Sequence, residues 1–320
     1  QGPSDSISSL EFSPDSSTVL LSSSWDGHLR VYDTAASSAS DQPLEPYVDI
    51  HLRAPILDAC FIDGNHAIAA SLDGSVKLLN LGRGNKQPLL HLYTRHTQAV
   101  SSCCFSKQHM LLLTGSWDKT LHIRDIHALT DDSKPALILT LPEKCFKLSC
   151  SNDVLVVAMA NRAVHLYQLA ELRAAMEQQM PSSQVPPMQR RESSLKFMTR
   201  TVQCTPDNTG FVSTSIEGRV AVEFFDAAEE IQARKYAFKC HRQKEVIQGA
   251  ELDEKEDVVY PVNAVAFHPK HGSFATGGGD GVVAMWDIKA KRRVKLFGSI
   301  GKSVSCLAFS ADAKTLAMGT

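Results

Sequence analysis

One pattern recurs along the chain at a spacing of about 40–45 residues, the period of architectures built by radial repetition of a small β unit. Its clearest copies occupy residues 7–33 and 262–287, two more occupy 54–81 and 99–125, and weaker ones occupy 146–169 and 200–226. A seventh opens at 303–320 with SVSCLAFSADAKTLAMGT. Each copy reads as a short alternating strand, a second strand ending in small residues, an acidic-Gly turn, and a third strand closing on an aromatic and Asp. Period-two alternation buries one face of each strand against a neighbour, and Asp-Gly or Glu-Gly supplies the tight turn between strands two and three.

Seven such units around an axis make an all-β, seven-bladed β-propeller, expected as a single domain over residues 1–320. Ring closure needs the first and last segments to meet in one blade, which removes a loose edge. Residues 1–6 precede the first copy and the seventh stops after two strands. Either flexible ends lie outside this numbering or that blade is incomplete. Two insertions interrupt the period: 170–194, a short helix (AELRAAMEQQM) followed by a loop (PSSQVPPMQRRESS), and 244–257, a charged, mostly acidic solvated loop.

With 43% hydrophobic and 21% charged residues, the composition is that of a globular protein with a substantial core. No apolar stretch reaches the roughly 18 residues of a membrane-spanning helix, so a cytosolic or nuclear home without membrane contact is expected. Cys60, Cys103, Cys204 and Cys306 sit in apolar, strand-like runs and read as buried reduced thiols. The absence of CxxC and the scatter of the twelve histidines leave no structural zinc site, and no metal or cofactor is expected. A formal net charge of −2 removes any global pull toward nucleic acid and leaves room only for a local basic patch.

The motifs GxSxG, HExxH, GxxxxGK[ST] and GxGxxG are absent, so no enzyme is expected. The run Gly277-Gly278-Gly279-Asp280-Gly281 leads into a strand and not into a helix, which makes it a blade turn and not a phosphate loop. His96 precedes the third copy as the histidine of a Gly-His pair does in WD repeats, where it bonds the turn aspartate, here Asp118. That copy closes on Ile123-Arg124-Asp125 without the usual tryptophan, so its hydrogen-bonded tetrad should be incomplete.

Antiparallel strands alternate in direction. The start of strand one, the turn between strands two and three, and the end of strand four therefore emerge on the same face. Trp25 (SSSWDG) and Trp117 (TGSWDK) fall at second-strand ends on that face, where small turn residues would serve. They serve either as cover for a neighbouring blade or as anchors in a peptide groove. The fifth copy places Arg200 at the start of strand one, Arg219 in the Glu217-Gly218-Arg219 turn, and Lys239 near the end of strand four. Solvated charges would explain each cation separately. Their convergence fits an acidic or phosphorylated ligand, because guanidinium forks bind phosphate oxygens by charge-assisted bonds.

Four segments, QRRESSLKFMTR, SIEGRVAVEFFD, KYAFKCHR and YPVNAVAFHP, resemble the Bub family of WD-repeat mitotic checkpoint proteins, and the similarity extends over essentially the whole chain. The resemblance implies a spindle assembly checkpoint adaptor, nuclear and at kinetochores in mitosis, that works as a monomeric propeller within heteromeric complexes. It implies a GLEBS segment of a checkpoint kinase and of its kinase-related paralogue bound by Trp25, Trp117 and Arg200. It also implies phosphothreonine in Met-Glu-Leu-Thr motifs of a kinetochore scaffold held by Arg219 and Lys239. The related messenger-RNA export propeller, which binds a nucleoporin GLEBS motif, is the main rival. A ubiquitin-ligase substrate receptor is a weaker one, for no appendage to hold an adaptor is evident.

Overall fold

The computed structural model describes residues 2–35, 43–84, 88–128, 136–246 and 255–320. Among the described residues, six four-stranded antiparallel sheets are arranged around a central channel, and their strands run in sequence order from the channel outward. Blade one, for instance, consists of Ile7–Phe12, Val19–Ser24, His28–Asp33 and Val48–His51. The first strands of blades two to six are Ile56–Phe61, Val100–Ser106, Cys145–Cys150, Thr199–Cys204 and Val262–Phe267.

The expectation of seven blades is corrected to six. At the seventh place around the channel stands a sheet of only two strands, Cys306–Phe309 and Leu316–Gly319. It packs between the inner strands of blades six and one. The Ile7 amide donates to the Thr320 carbonyl at 3.2 Å, and the Ser305 hydroxyl donates to the Ile7 carbonyl at 2.6 Å. Seven inner strands surround the channel, and the repeat pattern records them. A repeat marks an inner strand, which is not the same as a whole blade.

Apolar side chains lie between blades, as two-sided sheets packed face to face require. One cluster joins Leu113, Leu121 and Ile123 of blade three to Leu148, Leu155 and Val157 of blade four, and another joins Val212 and Val220 of blade five to Val265 and Phe274 of blade six. The second strand of blade five, Gly210–Ser215, is buried along its whole length, whereas the outer strand of blade six, Arg292–Leu296, is exposed throughout. Among the described residues, no helix is long and apolar enough to cross a membrane.

The turn between strands two and three uses one piece of chemistry repeatedly. Asp26, Asp73, Asp118 and Asp280 each accept the backbone amide two residues on, at 2.9–3.1 Å. The residue after the aspartate takes a left-handed conformation, φ +80° at Gly27 and +83° at Gly74, which glycine adopts without strain. A Cβ at Gly74 would also sit 2.4 Å from the His96 carbonyl oxygen. Lys119 fills the same slot at φ +65° in blade three.

The two insertions hold more regular structure than a loop. In 170–194, a helix at Leu169–Glu177 is followed by a 3-10 turn at Ser182–Gln184 and then by Gln189–Glu192, the outer strand of blade four. The segment read as loop therefore completes a blade. One face of that strand turns to blade five, where Arg191 donates to the Phe224 carbonyl at 2.6 Å, but all four residues of QRRE are polar, so no apolar alternation betrays it. Flanking the second insertion, Arg242–Val246 pairs with Lys255–Val259 as a two-stranded hairpin, and residues 247–254 lie outside the described residues.

Candidate peptide-binding rim

Every one of the six blades carries a register shift near the start of its first strand, between Ile7 and Ser9, Ile56 and Asp58, Gly115 and Ser116 (opposite Ser101), Cys145 and Lys147, Thr199 and Val202, and Val262 and Ala264. A bulge inserts an unpaired residue and re-aims its side chain. The residues so released, Ser8, Leu57, Ser101, Phe146, Arg200 and Asn263 among them, all line the central channel, a cavity of about 970 Å³. Several also bond the next blade: Ser8 donates to the Ile56 carbonyl at 2.6 Å and Ser101 to the Cys145 carbonyl at 2.7 Å. The bulge thus links neighbouring blades and directs Arg200 into the channel mouth.

A second sixfold feature places the tryptophans. The residue just after strand two donates its amide to the carbonyl just before strand one. The pairs are Trp25 to Ser6, Leu72 to Pro55, Trp117 to Ala99, Ala160 to Lys144, Ile216 to Met198 and Gly279 to Pro261, at 2.8–3.1 Å. Of the six slots only those of blades one and three hold tryptophan. Trp25 is 42% exposed, Trp117 is half-buried, and both line the same channel as Arg200.

Arg200 is exposed, and its Nε donates to the Asn263 side-chain oxygen at 3.1 Å. Asn263 donates in turn to the Val304 carbonyl at 3.0 Å. Desolvation by the surrounding protein lowers the Arg200 pKa from its ordinary value. One bond therefore steers the guanidinium from one side through an anchored asparagine, and the other four of its five N–H groups are left for a ligand.

Arg219 and Lys239 stand directly opposite each other in the pairing of the third and fourth strands of blade five, and Thr199 opposes Ser215 at the same end of that sheet. Neither Arg219 nor Lys239 lines the channel. They form a separate outer group on the same end of the blade. The Arg219 Nε lies 3.2 Å from a Glu217 carboxylate oxygen, and Arg242 approaches that carboxylate at 3.6 Å. Arg219 and Arg242 thus share one carboxylate, and Lys239 stands opposite Arg219 across the strand pair. Sequence reading overlooked Glu217 as a partner, Asn263 as the residue that orients Arg200, and Arg242 as a further cation.

Deeper in the channel, Asp58 and Lys147 form an ion pair at 2.8 Å, and Asp58 also accepts from the Ser102 hydroxyl at 2.7 Å. Burial would draw the Lys147 pKa down, but the facing carboxylate outweighs it and the pKa lies above its ordinary value. Glu11 borders the same space and accepts the Phe61 amide at 2.9 Å; desolvation pushes its pKa up to about 7. Among the described residues, no group of three or more His, Cys, Asp and Glu side chains is arranged to hold a metal ion.

The His96–Asp118 contact is present at 3.2 Å, with Thr114 at 3.0 Å on the other ring nitrogen. No indole completes it. His122 stacks on His96 instead, with ring centroids 3.6 Å apart. A complete network, which sequence reading missed, stands in blade six. His241 Nδ1 lies 2.9 Å from Asp280, His241 Nε2 lies 2.9 Å from the Thr276 hydroxyl, and Trp286 Nε1 donates to that hydroxyl at 2.9 Å. The Asp280 carboxylate can only accept, so a ring proton sits on Nδ1 facing it, and the Thr276 hydroxyl accepts from the indole N–H. Both imidazoles are buried and hydrogen-bonded within their blades.

The family described as WD domain, G-beta repeat matches residues 1–33, 87–125 and 257–287. The chain is 39% identical over 319 residues to the mitotic checkpoint protein BUB3.1 of Arabidopsis thaliana, covering 99% of this chain and 84% of that one. It is 35% identical over 318 residues to the spindle assembly checkpoint protein bub3 of Schizosaccharomyces pombe, covering 99% and 88%.

The chain belongs to the Bub3 family of mitotic checkpoint proteins. A poly(A)+ RNA export protein of Schizosaccharomyces pombe is also similar, 32% identical over 314 residues that cover 97% of this chain and 79% of that one. Checkpoint and RNA-export proteins are thus both similar to this chain over nearly its whole length.

Proposed function

We propose that this Bub3-family chain is a spindle assembly checkpoint adaptor, a binding scaffold and not an enzyme, acting in the nucleus and at mitotic kinetochores. Trp25, Trp117 and Arg200 hold a GLEBS segment of the checkpoint kinase or its kinase-related paralogue, and Arg219 with Lys239 holds the phosphothreonine of a kinetochore scaffold. The observation that carries the reading is that two tryptophans and one bulge-directed arginine, from three blades, share the mouth of one channel. Exposed tryptophan and arginine are the side chains from which binding hot spots are built. The blade-five cations lie at the same end of their sheet, so two segments could be held on one face at once.

Capture from mitotic extract by the immobilised chain tests this. Wild type should retain the checkpoint kinase, and Arg200→Glu or the pair Trp25→Ala and Trp117→Ala should lose it, each tryptophan being worth about 2 kcal/mol. Retention of a nucleoporin without checkpoint kinases would assign the chain to the export role of its other relatives.

A further inference from the structure

In blades one to five the residue that opens strand three lies opposite the last residue of strand four. Only in blades two and five does that pair include arginine or lysine: Ser75 with Arg95, and Arg219 with Lys239. Ser75 and Lys77 are two apart on strand three of blade two, so Ser75, Lys77 and Arg95 share one face of the sheet. That face looks toward blade one, because Lys77 Nζ donates at 2.9 Å to the carbonyl of Leu52, in the segment leaving that blade.

Arg53, the next residue, is exposed and held at φ +67°, a conformation that glycine adopts far more readily than a long side chain. The Arg95 side chain is 68% exposed and stands 3.6 Å from Asp73, whose other oxygen already accepts from the Ser75 amide and hydroxyl. Among the described residues, Arg95 pairs only with Asp73, and neither Arg53 nor Lys77 forms an ion pair. Burial lowers the Lys77 pKa, and against the pull of Asp73 the charges of Arg95 and Arg53 lower it too. The seam between blades one and two therefore holds an excess of positive charge that the fold leaves uncompensated.

We propose that Arg53, Lys77 and Arg95 form a second anion site, which takes a phosphorylated serine or threonine in an extended segment of a partner protein. A phosphomonoester brings about two negative charges and three acceptor oxygens, which suit two guanidinium forks and the free N–H groups of an ammonium. A polynucleotide would need a longer track of positive charge than three side chains supply. The seam also adjoins the channel mouth. The Leu52 amide donates to the Gly27 carbonyl at 2.8 Å, so Arg53 stands beside the turn that carries Trp25. None of this uses Arg219 or Lys239, and the site stands whether or not blade five holds a phosphate.

Titration of a chain carrying Arg219→Ala and Lys239→Ala, so that the blade-five pair contributes nothing, tests the site. The probe is a labelled Gly-Ala-phosphoserine-Ala-Gly peptide, compared with its serine and glutamate versions, inorganic phosphate and oligouridylate. The phosphorylated peptide should bind at least about ten-fold more tightly than the serine peptide at low salt, and adding Arg53→Glu with Arg95→Glu should remove that preference. Arg53→Gly alone suits the backbone there, so it should melt no lower than its parent and still bind roughly three-fold more weakly. Equal affinity for the phosphorylated and serine peptides, or a preference that survives the double reversal, would overturn the proposal. So would a glutamate peptide or inorganic phosphate that binds as tightly as the phosphopeptide, or tighter binding of oligouridylate that the double reversal abolishes, each of which assigns these cations to another ligand.

Discussion

Arg219 faces Lys239 directly across the third and fourth strands of blade five, and Glu217 stands 3.2 Å from the Arg219 guanidinium. Like charges directly opposite in a sheet repel, and the carboxylate beside them offsets part of that repulsion. A phosphate arriving at the pair competes with Glu217 for the same N–H groups. Glu217→Gln should therefore tighten binding of a phosphothreonine peptide by roughly three- to ten-fold at low salt, and Lys239→Glu should weaken it by more than ten-fold. Both are read by fluorescence anisotropy, and the Glu217→Gln gain should shrink as salt is raised. A weaker phosphopeptide complex in Glu217→Gln would mean that the carboxylate positions Arg219 and does not compete for it.

The network of His241, Asp280, Thr276 and Trp286 holds blade six to the strand that enters it. His241→Ala leaves a buried carboxylate and a buried hydroxyl each short of a partner, a loss of about 2–4 kcal/mol. Denaturant unfolding should show that drop. Gly278 has no side chain because a Cβ there would lie 2.2 Å from His241 Nδ1, so Gly278→Ala should be destabilising too. A drop below about 1 kcal/mol for His241→Ala would show that the histidine is dispensable.

Two desolvated groups pull stability in opposite directions between about pH 4.5 and 7. The folded pKa of Glu11, about 7, exceeds its ordinary value of 4.5, so folding favours the protonated acid. The penalty is absent below about pH 4.5, grows between pH 4.5 and 7, and is complete above. Glu11→Gln keeps an acceptor for the Phe61 amide and should be about 1–2 kcal/mol more stable than wild type at pH 8 and equal to it at pH 4, a discount that allows for channel water.

On the acid side, burial first and the neighbouring His96 second depress the His122 pKa from 6.5 to about 3. The unfolded chain then binds a proton that the folded chain refuses, and stability falls as pH drops below 6.5. By pH 5 the loss is about 2 kcal/mol. His122→Phe, which retains a ring to stack on His96, should flatten that limb of the melting-temperature profile. An unchanged acid limb in the variant would place the loss elsewhere.

The ring was legible in the sequence because its signals are local. An Asp-Gly turn, an alternating strand and a small-residue strand end each declare themselves within a few residues, as Trp25-Asp26-Gly27 does. What escaped reading depends on distance or on exposure. Outer strands such as Gln189–Glu192 carry no apolar alternation because polar side chains occupy both faces, including the one that packs on the next blade. His241 and Asp280 are separated by a hairpin and an insertion, so no short motif unites them. The strand-parity argument placed Arg200, Arg219 and Lys239 on one end of blade five, but it could not foresee the bulge that turns Arg200 into the channel while Arg219 and Lys239 stay outside it. A bulge is a change of one residue in pairing, and alternation over five or six residues is too short to register it.

A single titration bears most directly on the adaptor reading: a Met-Glu-Leu-Thr peptide, with and without phosphate on its threonine, added to the wild-type chain and to Arg219→Ala. The phosphorylated peptide should bind wild type at least ten-fold more tightly than the plain one, and Arg219→Ala should erase about 1.5–3 kcal/mol of that preference. Equal affinity of wild type for the two peptides would contradict it.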